Sequence, residues 1–187
     1  MTTDNDRSYF KEHPQYYMYL HPDEPSYEML MAARDRFVAF HPRLQFVGAH
    51  MASLEWSVDR LAVWLDRFPN ANVDIAARMT QIQYQSNQDP AKVRNFFIKY
   101  QNRLMYGTDV ADNPPDPAHP ADNPAVTSAD FEKDVDRTWR SDWRYLATPL
   151  TQHVEDLKAD VKGLALPREV IDKLYYRNAE RIYLHHG

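Results

Sequence analysis

Apolar residues recur at helical spacing through Met29, Leu30, Ala33, Phe37 and Phe40. Ser26 stands where a cap is needed, and His41 with Pro42 closes the segment. The pattern then shortens. LQFVGAH, Leu44 to His50, is an apolar run too brief for a helix, as expected of a strand buried on both faces. Leu54, Val58, Leu61, Leu65 and Phe68 return to steps of four and three after Ser53, which predicts a second amphipathic helix ending at Pro69 and Asn70. ANVDIA, Ala71 to Ala76, reads as a second strand. Asp89 before Pro90 is a cap followed by proline at the first helical position, and Val93, Phe96, Phe97 and Tyr100 make that helix's apolar face. RLMYGTD, Arg103 to Asp109, reads as the third strand. Helix, strand, helix, strand, helix, strand, on short connections, predicts an α/β fold with a parallel sheet and right-handed crossovers.

The flanks read differently. Residues 1–25 form an arm interrupted by Pro14, Pro22 and Pro25, in which Tyr16, Tyr17 and Tyr19 are expected to pin it to the body. Residues 26–187 read as one domain, because 187 residues suit a single core. Five of the 13 prolines fall within Pro114 to Pro124, so residues 111–126 predict a non-helical insertion, either a lid or a solvated loop. A charged helix then runs from Thr127 or Ser128 to Arg140, followed by the aromatic residues Trp139, Trp143 and Tyr145. Pro167 opens a terminal helix with Val170, Ile171, Leu174 and Tyr175 on its apolar face, and a short helix follows from Asn178.

Charge and composition narrow the partners. Lys and Arg total 22 against 27 Asp and Glu, a net charge of −5, so no global basic field exists to hold nucleic acid. With no cysteine, thiolate nucleophiles, disulfides and zinc–cysteine sites are excluded together. No membrane span or signal segment is evident, and the cytoplasm is the default compartment. The expected partner is a small molecule.

Two polar residues stand at strand ends: His50 closes LQFVGAH and Asp109 closes RLMYGTD, each two residues after a glycine, Gly48 and Gly107. In parallel α/β folds, residues from separate strands converge outside the carboxyl ends. Asp109 offers a hard oxygen ligand or a proton acceptor, and His50 a nitrogen ligand or an acid/base. Alone, each has a plainer reading, as a satisfied buried imidazole and a turn cap; the matched placement favours chemistry. Arg78, after the second strand, is the candidate for binding a substrate carboxylate, although an arginine so placed is more often a salt-bridged surface residue, and mid-strand Asp74 is expected to hold a neighbouring loop or arginine. No GxSxG elbow, Gly-rich phosphate loop or HExxH is present.

HPRLQFVGAHMASLEW, LDRFPNANVDIAAR, KVRNFFIKYQNRLMYGTD and GLALPREVIDKLYYRNAERIY, in that order, resemble the carboxyl-terminal half of amidohydrolase-superfamily metal-dependent hydrolases, in the branch related to aminocarboxymuconate-semialdehyde decarboxylase. The resemblance implies a (β/α)8 TIM barrel, with the three predicted strands as strands six to eight. It implies a divalent metal, zinc foremost, with His50 and Asp109 as metal-binding and catalytic residues. It further implies hydrolysis or decarboxylation of a small carboxylate or ring-derived substrate. The family's HxH motif has no counterpart here. A full barrel needs about 250 residues, so a partial barrel lacking its amino-terminal metal ligands is expected, and the chain is read as a fragment of a longer product. The competing expectation is a non-catalytic module that forms a homo-oligomer through exposed sheet edges.

Overall fold

Ser26 Oγ accepts the backbone N–H of Met29 at 3.3 Å and starts α1, Tyr27–Phe40, as its position predicts. In this computed structural model, which describes residues 10–111 and 128–184, α1 leads into β1, Phe46–Gly48. Then come α2 (Val58–Arg67), β2 (Ala71–Asp74), α3 (Met79–Gln88), α4 (Pro90–Lys99) and β3 (Leu104–Met105). The three strands form a parallel sheet in the order β1-β2-β3, with Phe46 opposite Ala71 and Val73 opposite Leu104. This is the predicted α/β rhythm. Leu61, Leu65, Val73, Ile82 and Phe97 are fully buried between helices and sheet. Among the described residues no helix is long and apolar enough to cross a membrane.

Three elements depart from the reading of the sequence. The helix expected from Ser53 begins at Val58, because Ser53 is itself in the left-handed region (φ 58°) and cannot adopt the extended backbone of a cap. Ser57, at φ −155°, takes that role and accepts from Arg60 N at 3.3 Å. Ser57→Ala is therefore expected to lower stability by about 1 kcal/mol, read from the urea midpoint, with Ser53→Ala producing no comparable loss of capping. Helix α3 was not foreseen, since MTQIQYQSNQ lacks an apolar stripe. Ile82 anchors it in the core, and Gln85 donates to Glu55 O at 2.7 Å and accepts from Val58 N at 2.8 Å, tying α3 to the start of α2. Lastly, the segment after α5 (Ser128–Ala147) is an antiparallel hairpin, β4 (Thr151–Val154) with β5 (Ala159–Lys162), which the sequence pattern does not predict.

The C-terminal segment starts after Pro167 as α6, Arg168–Asp172, and continues in wider turns over Lys173–Arg177 and Glu180–Leu184. It seals the outer edge of β3: Tyr106 N donates to Leu174 O at 2.7 Å, and Asn178 Nδ2 donates to Leu104 O at 2.8 Å. One edge of the sheet is thus covered. In the arm, Tyr17 packs on Phe10 and Tyr19 (centroids 5.6 and 5.4 Å), while Tyr16 and Tyr19 are 57% and 86% exposed, so these two do not pin it by burial. The proline-rich insertion, apart from Ala111, lies outside the described residues, as do His119, His185 and His186.

Candidate functional site

Because the strands are parallel, their carboxyl ends open on one side, and the chain leaves each through a left-handed residue: His50 (φ 53°), Ala77 (φ 52°) and Asp109 (φ 62°). After β1 the left-handed stretch covers four residues, His50 to Ser53, with φ between 53° and 58°. L-residues pay roughly 1–2 kcal/mol each for that conformation, so the surroundings must impose it. They do. Asp74 Oδ1 accepts from His50 N at 2.8 Å, Tyr27 donates to Ser53 O at 2.6 Å, and Arg34 donates to Ala52 O. The turn folds Ala52 back over Gly48, where a Cβ would lie 2.5 Å from that of Ala52, so Gly48 is needed for chain packing.

The turn aims the imidazole. His50 Nδ1 lies 2.8 Å from Ala76 O, and since a carbonyl only accepts, Nδ1 carries a proton, which in the neutral ring leaves the lone pair on Nε2. Nε2 faces Asp109 Oδ2 at 3.7 Å. Two acceptors facing one another are stable with a proton or a cation between them. Asp74 also accepts from Ala76 N at 3.1 Å, so it fixes the backbone that holds the ring, as expected of a residue that secures a loop. Arg78 sits beside this group, donating to Ala77 O at 2.9 Å with its Nε 3.6 Å from Glu55. The structure thus brings His50 and Asp109 together and pairs Arg78 with Glu55.

Next to the pair is a cleft of about 680 Å³, a volume suited to a small ligand. Ala77 and Thr108, neighbours of Ala76 and Asp109, line one side; Ser141 and Asp142 of α5 and His153 of β4 line the other. Asp142 is 7% exposed and was not foreseen. Its Oδ2 accepts from Tyr106 Oη at 2.9 Å. Burial raises its carboxyl from 3.8 to about 6, while the Tyr106 bond pulls the other way. Burial and the Asp142 charge together push the Tyr106 phenol well above its ordinary value. Tyr106 stacks on Tyr175 at 4.3 Å, and Trp143 meets Tyr175 edge-on at 5.2 Å. The aromatic cluster around Trp143 was the sequence signal that could have marked Asp142.

A divalent ion sets a chemical test. An imidazole lone pair and a carboxylate oxygen 3.7 Å apart can share one ion at about 2.0–2.2 Å from each. The pair therefore fits as two ligands. Among the described residues no group of three or more His, Cys, Asp or Glu could hold a metal, whereas catalytic zinc usually has three protein ligands.

The profile of one protein family, described as amidohydrolase, matches residues 16–184. The searches of curated proteins and of solved structures returned no significant match.

Proposed function

The chain belongs to the amidohydrolase family, and from this premise we propose that it is a metal-dependent hydrolase or lyase. Its substrate is a small carboxylate or ring-derived molecule, bound where β1, β2 and β3 end. The observation that carries the reading is His50 Nε2 facing Asp109 Oδ2 at 3.7 Å, the ring being held by Nδ1 on Ala76 O. On this reading the three strands are strands six to eight of a barrel of the aminocarboxymuconate-semialdehyde decarboxylase-like branch.

His50 and Asp109 would hold the ion, zinc foremost, with further donors from outside the described residues. When bound, it supplies Lewis-acid polarisation of water or of a substrate carbonyl. The chain's own groups do the remaining work. Ala76 O fixes the His50 ring, and Asp109, on an exposed strand end, accepts a proton from attacking water. Asp142 can exchange a proton with a ligand in the cleft, because burial has brought its carboxyl to about 6. Arg78 takes a substrate carboxylate by exchanging it for Glu55, 3.6 Å away.

The test is metal stoichiometry. After incubation with zinc and dialysis against metal-free buffer, elemental analysis is expected to find close to one ion per chain. His50→Ala and Asp109→Ala, folded by circular dichroism, should each bind at least about tenfold more weakly. No retained ion, or equal retention in both variants, overturns the reading.

A further inference from the structure

The opposite end of the sheet, where the strands begin, holds a second concavity of about 460 Å³. Arg43, Arg103 and Arg181 line it together with Asn70, Asn72 and Asn102, and no Asp or Glu is among its walls. The sequence alone gives no hint of this grouping, because the three arginines are brought together only by the fold.

Each wall is fixed. Arg103 Nε donates to Ala71 O at 2.6 Å and Nη1 to Leu65 O at 2.7 Å, with Nη2 reaching Phe68 O, so this guanidinium is locked against the end of α2. Arg181 Nη2 donates to Asn102 O at 2.6 Å and approaches Asn72 Oδ1 at 3.5 Å. Asn70 Nδ2 donates to His41 O at 3.2 Å and to Leu44 O at 2.8 Å, clamping the turn that presents the exposed Arg43. The three differ in role: Arg103 spends most of its donors on carbonyls and contributes charge, while Arg43 and Arg181 retain donors for a ligand.

No carboxylate within the concavity offsets these charges. Asp66, the carboxylate whose field reaches Arg103, is engaged by Lys99 at 3.0 Å. Burial holds the Arg103 guanidinium below its ordinary value, with Asp66 and Tyr100 opposing and the neighbouring Arg181 charge adding to the lowering. Among the described residues, Arg43, Arg103 and Arg181 have no ion-pair partner. Three guanidinium groups gathered in one concavity, without a carboxylate, are arranged to receive a multiply charged anion.

The geometry points to a binding site for a small oxyanion of the phosphate class, free phosphate or a phosphate monoester, held by Arg43 and Arg181 over Arg103. Tetrahedral oxygens match the fork of guanidinium donors, and a dianion offsets more of the gathered charge than a carboxylate does. The volume leaves room for a substituent on the phosphate. The site lies at the other end of the sheet from the His50–Asp109 pair and stands independently of the proposed reaction.

The test titrates inorganic phosphate, and separately methyl phosphate, into the full chain, reading thermal unfolding and calorimetric heat, with sodium chloride at matched ionic strength as the blank. Saturable stabilisation by either anion, absent with chloride, is expected. The double substitution Arg43→Gln with Arg181→Gln should weaken binding by about tenfold or more, with basal thermal stability little changed. Arg137→Gln, which removes one positive charge in the cleft at the other end of the sheet, should leave binding unaltered. No saturable effect with either anion overturns the site, as does equal weakening by Arg137→Gln. Arg103 is left intact because it ties down the end of α2.

Discussion

Leu61→Asp is expected to abolish the cooperative unfolding transition at neutral pH, or to lower stability by about 5 kcal/mol, while Val63→Asp on the same helix changes it by no more than about 0.5 kcal/mol. Leu61 is fully buried under the sheet and Val63 is 66% exposed, two positions apart on α2. An aspartate at 61 would sit among Leu65, Val73 and other apolar groups of one core cluster. It must be buried as an ion or protonated against its ordinary pKa, and either course costs several kcal/mol. Domains of this size have about 5–15 kcal/mol in total. Paired urea denaturations followed by circular dichroism decide the matter. Similar losses in both variants would mean that α2 does not present its 58-61-65 stripe to the sheet.

That stripe was legible because its apolar spacing is local and strong. The caps at Ser26 and Asp89, and Pro90 at the start of α4, could be read for the same reason: each is a side chain acting within three residues. The strands were placed correctly but read too long. LQFVGAH gives only Phe46–Gly48 because the chain enters the left-handed turn at His50, and nothing local in AHMAS announces four consecutive residues with positive φ. That conformation is imposed from a distance, by Asp74, Tyr27 and Arg34. Helix α3 was missed for a related reason, its buried side chains being Gln81, Gln83 and Ser86 around the single apolar Ile82 rather than an apolar row.

In the candidate site, His50 and Asp109 were legible from position, since residues ending parallel strands share one side of the sheet. The tautomer of His50 was not, as it depends on Ala76 O. Arg78 was placed near the site by its strand, but its pairing with Glu55 crosses elements and left no trace in spacing. Asp142 was hidden altogether. It lies on a helix whose neighbours Arg140, Trp143 and Arg144 suggest solvent, and it is buried because Tyr106, thirty-six residues earlier, reaches it from the strand that delivers Asp109.

Asp142→Asn should make the protein more stable at pH 8 and leave it nearly unchanged near pH 4. The folded carboxyl titrates at about 6 against an ordinary 3.8, a rise set by burial. Where the folded value is raised, the folded state holds its proton more tightly, so stability is undiminished below the unfolded value and declines as pH climbs from there through about 6. Two units of displacement correspond to about 3 kcal/mol, fully expressed above pH 6. Asparagine has nearly the same shape and its oxygen can still accept from Tyr106, so the variant escapes the cost of the buried charge without opening a cavity. Measuring the difference between variant and parent at pH 4.5 and pH 8 by urea denaturation cancels groups common to both, including His153 across the cleft. A difference independent of pH would show that Asp142 does not titrate as its burial implies. A buried carboxylate on the wall of a 680 Å³ cleft, hydrogen-bonded to Tyr106 in the segment that runs from β3 to Asp109, is on these grounds a candidate for chemistry in the proposed reaction.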